Sequence, residues 1–363
     1  NAPVENPDGI DGIALHVDSG ADRIMNPKTG ALWGDLSRAG QVEHITTLGD
    51  IDNTGLYDWG PFNAIRETHF DPVRRNLFHY CLFAHSIDDA EPNFSGVSAG
   101  IPGSDFIISL GGWDKGVGKP LMQAGTFMHE LGHNLGLTHG GPKAVGDQTS
   151  GKPNYFSVMN YNFQMRGLLT RGPTGDALCG LFDYSRYADI ALLDENSLHE
   201  TVGVTAATSD IRHLLTIYKT PNGITQYSDF IDRIDWNGSG DIDTEAVRSN
   251  ISGDTTGKPG DPVYTTLHSY ADWPYLIYTG GLIGGSSFGV SEQDALIEPD
   301  ITVELDAAIP DPFEILVEAP ADQPADRDET VTKTFTLTNT GAEADTFDLA
   351  LTSSRGWANL ASI

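Results

Sequence analysis

Residues 129–139 read His-Glu-Leu-Gly-His-Asn-Leu-Gly-Leu-Thr-His. On a helix, His129 and His133 project from one face, because four residues make about one turn. Glu130 sits beside the first histidine, where it can reach a water bound to a metal. Gly136 follows His133 by three residues and tolerates the left-handed conformation that turns a chain at a helix C-terminus. The turned chain can bring His139 back toward the other two rings. Three neutral imidazoles occupy three corners of a tetrahedral zinc and leave the fourth open to water, the arrangement of a catalytic rather than a structural site. The chemistry implied is hydrolysis by a metal-activated water with Glu130 as general base. The competing structural reading is a helix whose histidines are satisfied near a turn.

The helix that must carry this segment starts at Pro120, a favourable first-turn residue. Ala124, Phe127, Met128, Leu131 and Leu135 fall opposite His129 and His133. One face is therefore expected on a core, with the histidine face open to a cleft. Upstream, Ile13–Asp18 reads as a short strand. Phe62–Phe70 reads as a helix, with Pro61 in its first turn and Pro72 beyond its end. Leu77–Ala84 is a near-continuous apolar run suited to a buried central strand, and Asp105–Leu110 is a further strand ended by Gly111-Gly112. This order suits an α+β fold, a mixed sheet packed on helices.

The extended pattern HExxHxxGxxH is joined by Ser157-Val158-Met159-Asn160-Tyr161 downstream. Together they resemble the metzincin metallopeptidases, whose second mark is a methionine turn beneath the zinc. The resemblance implies a metzincin-like fold and peptide-bond hydrolysis with Zn2+ held by His129, His133 and His139. Met159 would form the floor under the histidines. Tyr161 would be a second catalytic residue, reaching the metal or the transition-state oxyanion. The strand just before the helix, residues 105–112, would lie at the lip of the cleft and pair with extended substrate. Gly140 stands where the best-known families carry Asp, Glu, Ser or Pro, which sets the chain apart from them. Pro153–Tyr161 and Phe182-Asp183-Tyr184-Ser185-Arg186 look like a poorly characterised group of secreted bacterial zinc peptidases. The family-like region covers most of residues 1–290.

Acidic residues number 51 against 21 basic, a formal net charge of −30. Such a surface repels nucleic acid and anionic membranes, so neither is expected as a partner; the expected partner is a protein or peptide substrate. No stretch approaches the roughly 20 apolar residues that span a bilayer. The start Asn-Ala-Pro-Val suits a processed or truncated product, and a secreted or extracellular location, with the cell surface included, follows from the resemblance and composition. The acidity suits a surface adapted to salt, or carboxylate loops filled by Ca2+. Asp235, Asn237, Ser239 and Asp241, with Gly240 at the sixth position, resemble a calcium loop; Ala246 stands where a bidentate Glu would close an EF-hand. Asp50, Asp52, Thr54, Gly55 and Asp58 make a poorer version.

Asp194–Glu200 and Asp210–Tyr218 read as short helices. From about residue 300 the composition shifts. Phe313–Val317 is an apolar run within a stretch rich in Pro, Asp and Ala, and Thr332–Leu337 and Thr346–Leu351 alternate in period two on either side of an Asn339-Thr340-Gly341 turn. These look like the opening hairpins of an immunoglobulin-like β-sandwich, too short to complete one. The expected division is a metallopeptidase domain at 1–300 and a partial sandwich at 301–363. Cys81 and Cys179 either pair or stay as thiols. Three functional readings stand: a secreted zinc endopeptidase, a non-catalytic surface or assembly protein that uses the same domain as scaffold or adhesin, and zinc-dependent hydrolysis of a non-peptide bond, against which the expected substrate-pairing strand argues.

Overall fold

The computed structural model describes residues 42–277 apart from 52–56, 89–93, 173–176, 206–212, 224 and 256–260, together with residues 15, 17, 296–297, 315–318 and 336–339. The expected strand at Ile13–Asp18, most of the 50–58 loop and the expected strand at Thr346–Leu351 lie outside these residues.

The chain is a mixture of short helices and several sheets. Helix α1 (Gly60–His69) carries Pro61 in its first turn and closes at Phe70, as the sequence suggests. Strands β1 (Tyr80–Ala84), β2 (Gly96–Ser98) and β3 (Asp105–Ser109) follow, then the short helix α2 (Asp114–Val117) and the long helix α3 (Pro120–Asn134). β3 pairs with β1 in parallel and with β2 antiparallel. Every residue of β3 is buried. Side chains alternate across a strand, so Ile107 packs with Phe62, Tyr80 and Val97 on the α1 side. Phe106 and Ile108 join Met122, with Phe127 and Leu131 of α3, on the other.

Two expectations fail here. Residues 105–109 are not a cleft-side edge but an interior strand, because β2 adds to their second side. Among the described strands β1 lies at the end of its sheet, whose order is β1-β3-β2 followed by Leu296–Ile297, with a parallel bridge from Ser86 to Thr47 beyond it, and Phe83 is exposed, so the apolar run from Leu77 is less buried than expected.

Beyond α3 come β4 (Leu137–Thr138), β5 (Gly141–Pro142) and helix α4 (Tyr161–Gln164). Strands β6 (Leu168–Arg171), β7 (Ala177–Leu181), β8 (Leu193–Asp194), β9 (Leu214–Lys219) and β10 (Thr225–Asp229) follow. A second sheet has the order β10-β9-β6-β7, with antiparallel pairing throughout. The expected helix at Asp210–Tyr218 is therefore β9 over its described part. Thr216, Ile217 and Tyr218 favour a pleated strand, and five of its six residues are buried. The expected helix at Asp194–Glu200 is also absent. The Asp194 carboxylate accepts the Asn196 N–H at 3.0 Å, a local turn that competes with helix, and Leu198 bridges Val247.

Strand β11 (Thr266–Leu267) pairs with β8, and β12 (Leu296–Ile297) with β2. β13 (Ile315–Glu318) and β14 (Thr336–Asn339) form an antiparallel pair. β13 overlaps the apolar run at Phe313–Val317, which the sequence did not mark as a strand; β14 overlaps the end of the alternation at Thr332–Leu337 and runs on through Asn339, expected to open the turn. Cys81 and Cys179 are both thiols.

Candidate metal centre

Helix α3 ends as its sequence requires. Leu135 caps it, and Gly136 takes φ +93°, which reverses the chain into β4. β4 and β5 then close a tight hairpin, with Leu137 opposite Pro142 and Thr138 opposite Gly141. His139 lies at its tip. This reversal returns His139 to His129 and His133, and one nitrogen from each of the three rings lies within 4.8 Å of the others. Among the described residues no other group of three His, Cys, Asp or Glu side chains converges in this way.

Backbone carbonyls orient two of the rings. His129 Nδ1 lies 2.8 Å from Val158 O, and His133 Nδ1 lies 2.8 Å from Leu137 O. A carbonyl only accepts, so each Nδ1 carries the proton and each Nε2 presents a lone pair. The two Nε2 atoms stand 3.1 Å apart. Two ligands at about 2.05 Å from a tetrahedral zinc are about 3.3 Å apart. The donor set, its tautomers and its spacing therefore fit a divalent cation that accepts imidazole nitrogen. All three histidines are buried, with His139 the most exposed at 8%.

Glu130 is wholly buried. It packs under β2: a Cβ on Gly96 would lie 2.3 Å from Glu130 Oε1 and 2.7 Å from Ile107 O. Glycine at 96 is what lets the strand cross the carboxylate. The histidine face was expected to open to a cleft; it is instead the most deeply buried part of α3, and Ala124 on the opposite face is exposed. Two more glycines explain the close cover. A Cβ on Gly125 would meet Gln164 O at 1.9 Å, and one on Gly132 would meet Met159 Sδ at 2.3 Å. Residues 157–165 lie against α3 as closely as backbone permits. Burial pushes the Cys81 thiol well above its ordinary range, and the Glu130 charge adds to the shift.

Met159 is fully buried against Gly132, next to His133. Tyr161 opens α4, and its ring lies 4.4 Å from that of His139 and 5.9 Å from that of His129. Both residues singled out beyond the histidine motif thus adjoin it.

Asp272, which the sequence did not mark, holds the Met159 turn in place. Its buried carboxylate accepts from Tyr155 OH at 2.8 Å, Ser157 Oγ at 2.7 Å and Ser185 N at 2.8 Å. Ser157 Oγ in turn accepts the Met159 N–H at 3.1 Å. Burial raises the Asp272 pKa to about 7, against the opposing pull of its hydroxyl and backbone donors. Gly140, the departure from the best-known families, has a local cause. A Cβ there would meet Asp147 Oδ1 at 2.2 Å. The Asp147 carboxylate thus fills the space that a side chain at 140 would need.

The Asp235 loop is closed by its own hydrogen bonds. Asp235 accepts from Ser239 N at 3.0 Å and Gly240 N at 2.7 Å, while Asn237 donates to Asp243 at 2.8 Å. Gly238 and Gly240 take φ +67° and +92°. Its carboxylates do not converge into a group of the kind the histidines make. Buried Glu200 and Glu195 serve neighbouring backbone. Glu200 accepts from Asn237 N and Asp243 N, and Glu195 from Ile251 N, Ser252 N and Thr265 N.

No family model, no curated protein and no solved structure matches the chain.

Proposed function

We propose that the chain is a metzincin-like zinc endopeptidase, acting outside the cell on protein or peptide. The observation that carries this reading is the convergence of one ring nitrogen each from His129, His133 and His139, with the His129 and His133 Nε2 atoms 3.1 Å apart and Glu130 on the helix that carries those two. A zinc ion there would supply Lewis acidity toward a scissile carbonyl and toward water. His129, His133 and His139 would hold it, with the first two fixed by Val158 O and Leu137 O. Glu130 takes the proton of the attacking water and returns it to the leaving amine. Tyr161, beside His139, donates to the developing oxyanion. The buried floor at Met159 keeps water from the far side of the rings.

β2 crosses Glu130 at Gly96 and is the strand nearest the chemistry, but it pairs with β3 on one side and, at Val97 and Ser98, with β12 on the other, so neither β2 nor β3 offers a free edge to substrate there. Calcium at the Asp235 loop would tighten a turn already formed and take no part in hydrolysis.

Glu130→Gln tests the assignment. The variant should keep its zinc and lose peptide cleavage by at least about 100-fold. A variant that retains both zinc and the parental rate removes Glu130 from the mechanism; a zinc-loaded parent that cleaves no peptide leaves the scaffold or adhesin reading in its place.

A further inference from the structure

Lys152 is wholly buried, although lysine is among the side chains least often found there. Its ammonium lies 2.7 Å from Gly140 O and 3.1 and 3.2 Å from the two Asp147 oxygens. Those acceptors use its three donor directions. Gly140 directly follows His139, and Gly140 and Asp147 face each other across an antiparallel bridge. The ammonium therefore grips both sides of the hairpin that carries the third histidine. It also lies between two rings, 4.9 Å from the centre of Tyr155 and 5.0 Å from that of Tyr270.

The backbone of the same residue points the other way. Lys152 O accepts from Asn160 Nδ2 at 2.8 Å, and Asn160 follows Met159. Asn160 Nδ2 also donates to Tyr155 O, and Asn160 Oδ1 accepts from Gly151 N. Val158, on the other side of Met159, supplies the carbonyl that orients His129. One residue thus ties the His139 hairpin to the turn that orients His129. A buried ammonium is a poor source of net stability, because desolvation offsets most of what the pairing returns. Its retention is better explained by what it fixes.

We propose that Lys152 is a positioning residue for the metal centre, setting His139 at its distance from His129 and His133 by bracing the 137–147 hairpin against the 157–161 turn. It touches none of the ligands and acts through Gly140 and Asn160. The inference rests on the zinc reading of the triad. Loss of a partner outside the ligand shell typically weakens metal binding about 10- to 100-fold.

The test compares the full chain with Lys152→Met, which is one atom shorter and keeps the apolar stem without the charge. Asp147, a third exposed, can turn to water in that variant. Zinc affinity is measured by competition with a chromophoric chelator, the Co2+ form by its visible spectrum, and the zinc-free forms by thermal unfolding. The expected result is zinc binding at least about tenfold weaker and an altered Co2+ spectrum, with Lys152→Gln, one atom shorter but still a donor, falling between. If Lys152→Met does not fold, Lys152→Gln carries the comparison against the parent. Variants with the parent's zinc affinity and Co2+ spectrum, whatever their melting temperature, overturn the inference. A parent that binds no zinc overturns the reading beneath it instead.

Discussion

Gly96→Ala addresses the general base without touching a ligand. The position has no left-handed backbone, so alanine brings only a methyl group into a crowded place. That methyl would lie 2.3 Å from Glu130 Oε1 and 2.7 Å from Ile107 O. An ordinary carbon–oxygen contact is above 3 Å, so the carboxylate must retreat by about 1 Å or β2 must lift from β3. Overpacking of this kind costs about 1–3 kcal/mol of stability. A catalytic group displaced by about 1 Å can lose about 100-fold in rate, or about 2.7 kcal/mol in the barrier. His129 and His133 keep their partners on Val158 and Leu137, so zinc should stay. The assay is kcat/KM on a quenched peptide, beside zinc content and thermal unfolding. The expected pattern is full zinc, a modest loss of stability and cleavage lowered about 100-fold. Parental cleavage with parental zinc would refute the placement of Glu130 under β2.

Gly136→Ala places a methyl where φ is +93°, which costs about 1 kcal/mol or more in unfolding free energy and loosens the turn that returns His139; chemical denaturation and zinc competition should move together. Asp272→Asn removes a carboxylate whose pKa is raised to about 7. The native state holds a proton there that the unfolded chain, near its ordinary value of about 4, gives up. This contribution is full below about pH 4 and is lost as pH rises toward 7, with a slope of about 1.4 kcal/mol per pH unit. Urea unfolding of the zinc-free forms should therefore show the difference between variant and parent shifting toward the variant from pH 4.5 to 7. A difference independent of pH would contradict the assignment.

The local geometry of the centre was legible because it is written in short spacings. His129 and His133 need only a helical turn, and Gly136 only its own conformational freedom. Met159 and Tyr161 were reached through the motif that accompanies the histidines. What failed depends on distant partners. Leu214–Lys219 carries no periodicity that separates a buried strand from a helix, and only its pairing with β6 and β10 decides. The interior place of β3 was hidden because β2 is three residues long, glycine at one end and serine at the other. Asp272 lies more than 110 residues from Ser157 in the chain, and nothing local distinguishes it from the other acidic residues. Lys152 reads as a surface lysine until Gly140, Asp147, Tyr155 and Tyr270 close around it.

The closest test of the whole account is a zinc titration of the purified chain beside His129→Ala, His133→Ala and His139→Ala. The parent should bind one equivalent tightly, and each substitution should abolish or sharply weaken that binding while the protein stays folded. A parent that takes up no zinc, or a His139→Ala variant that binds it as tightly as the parent, would mean that the three rings do not share an ion.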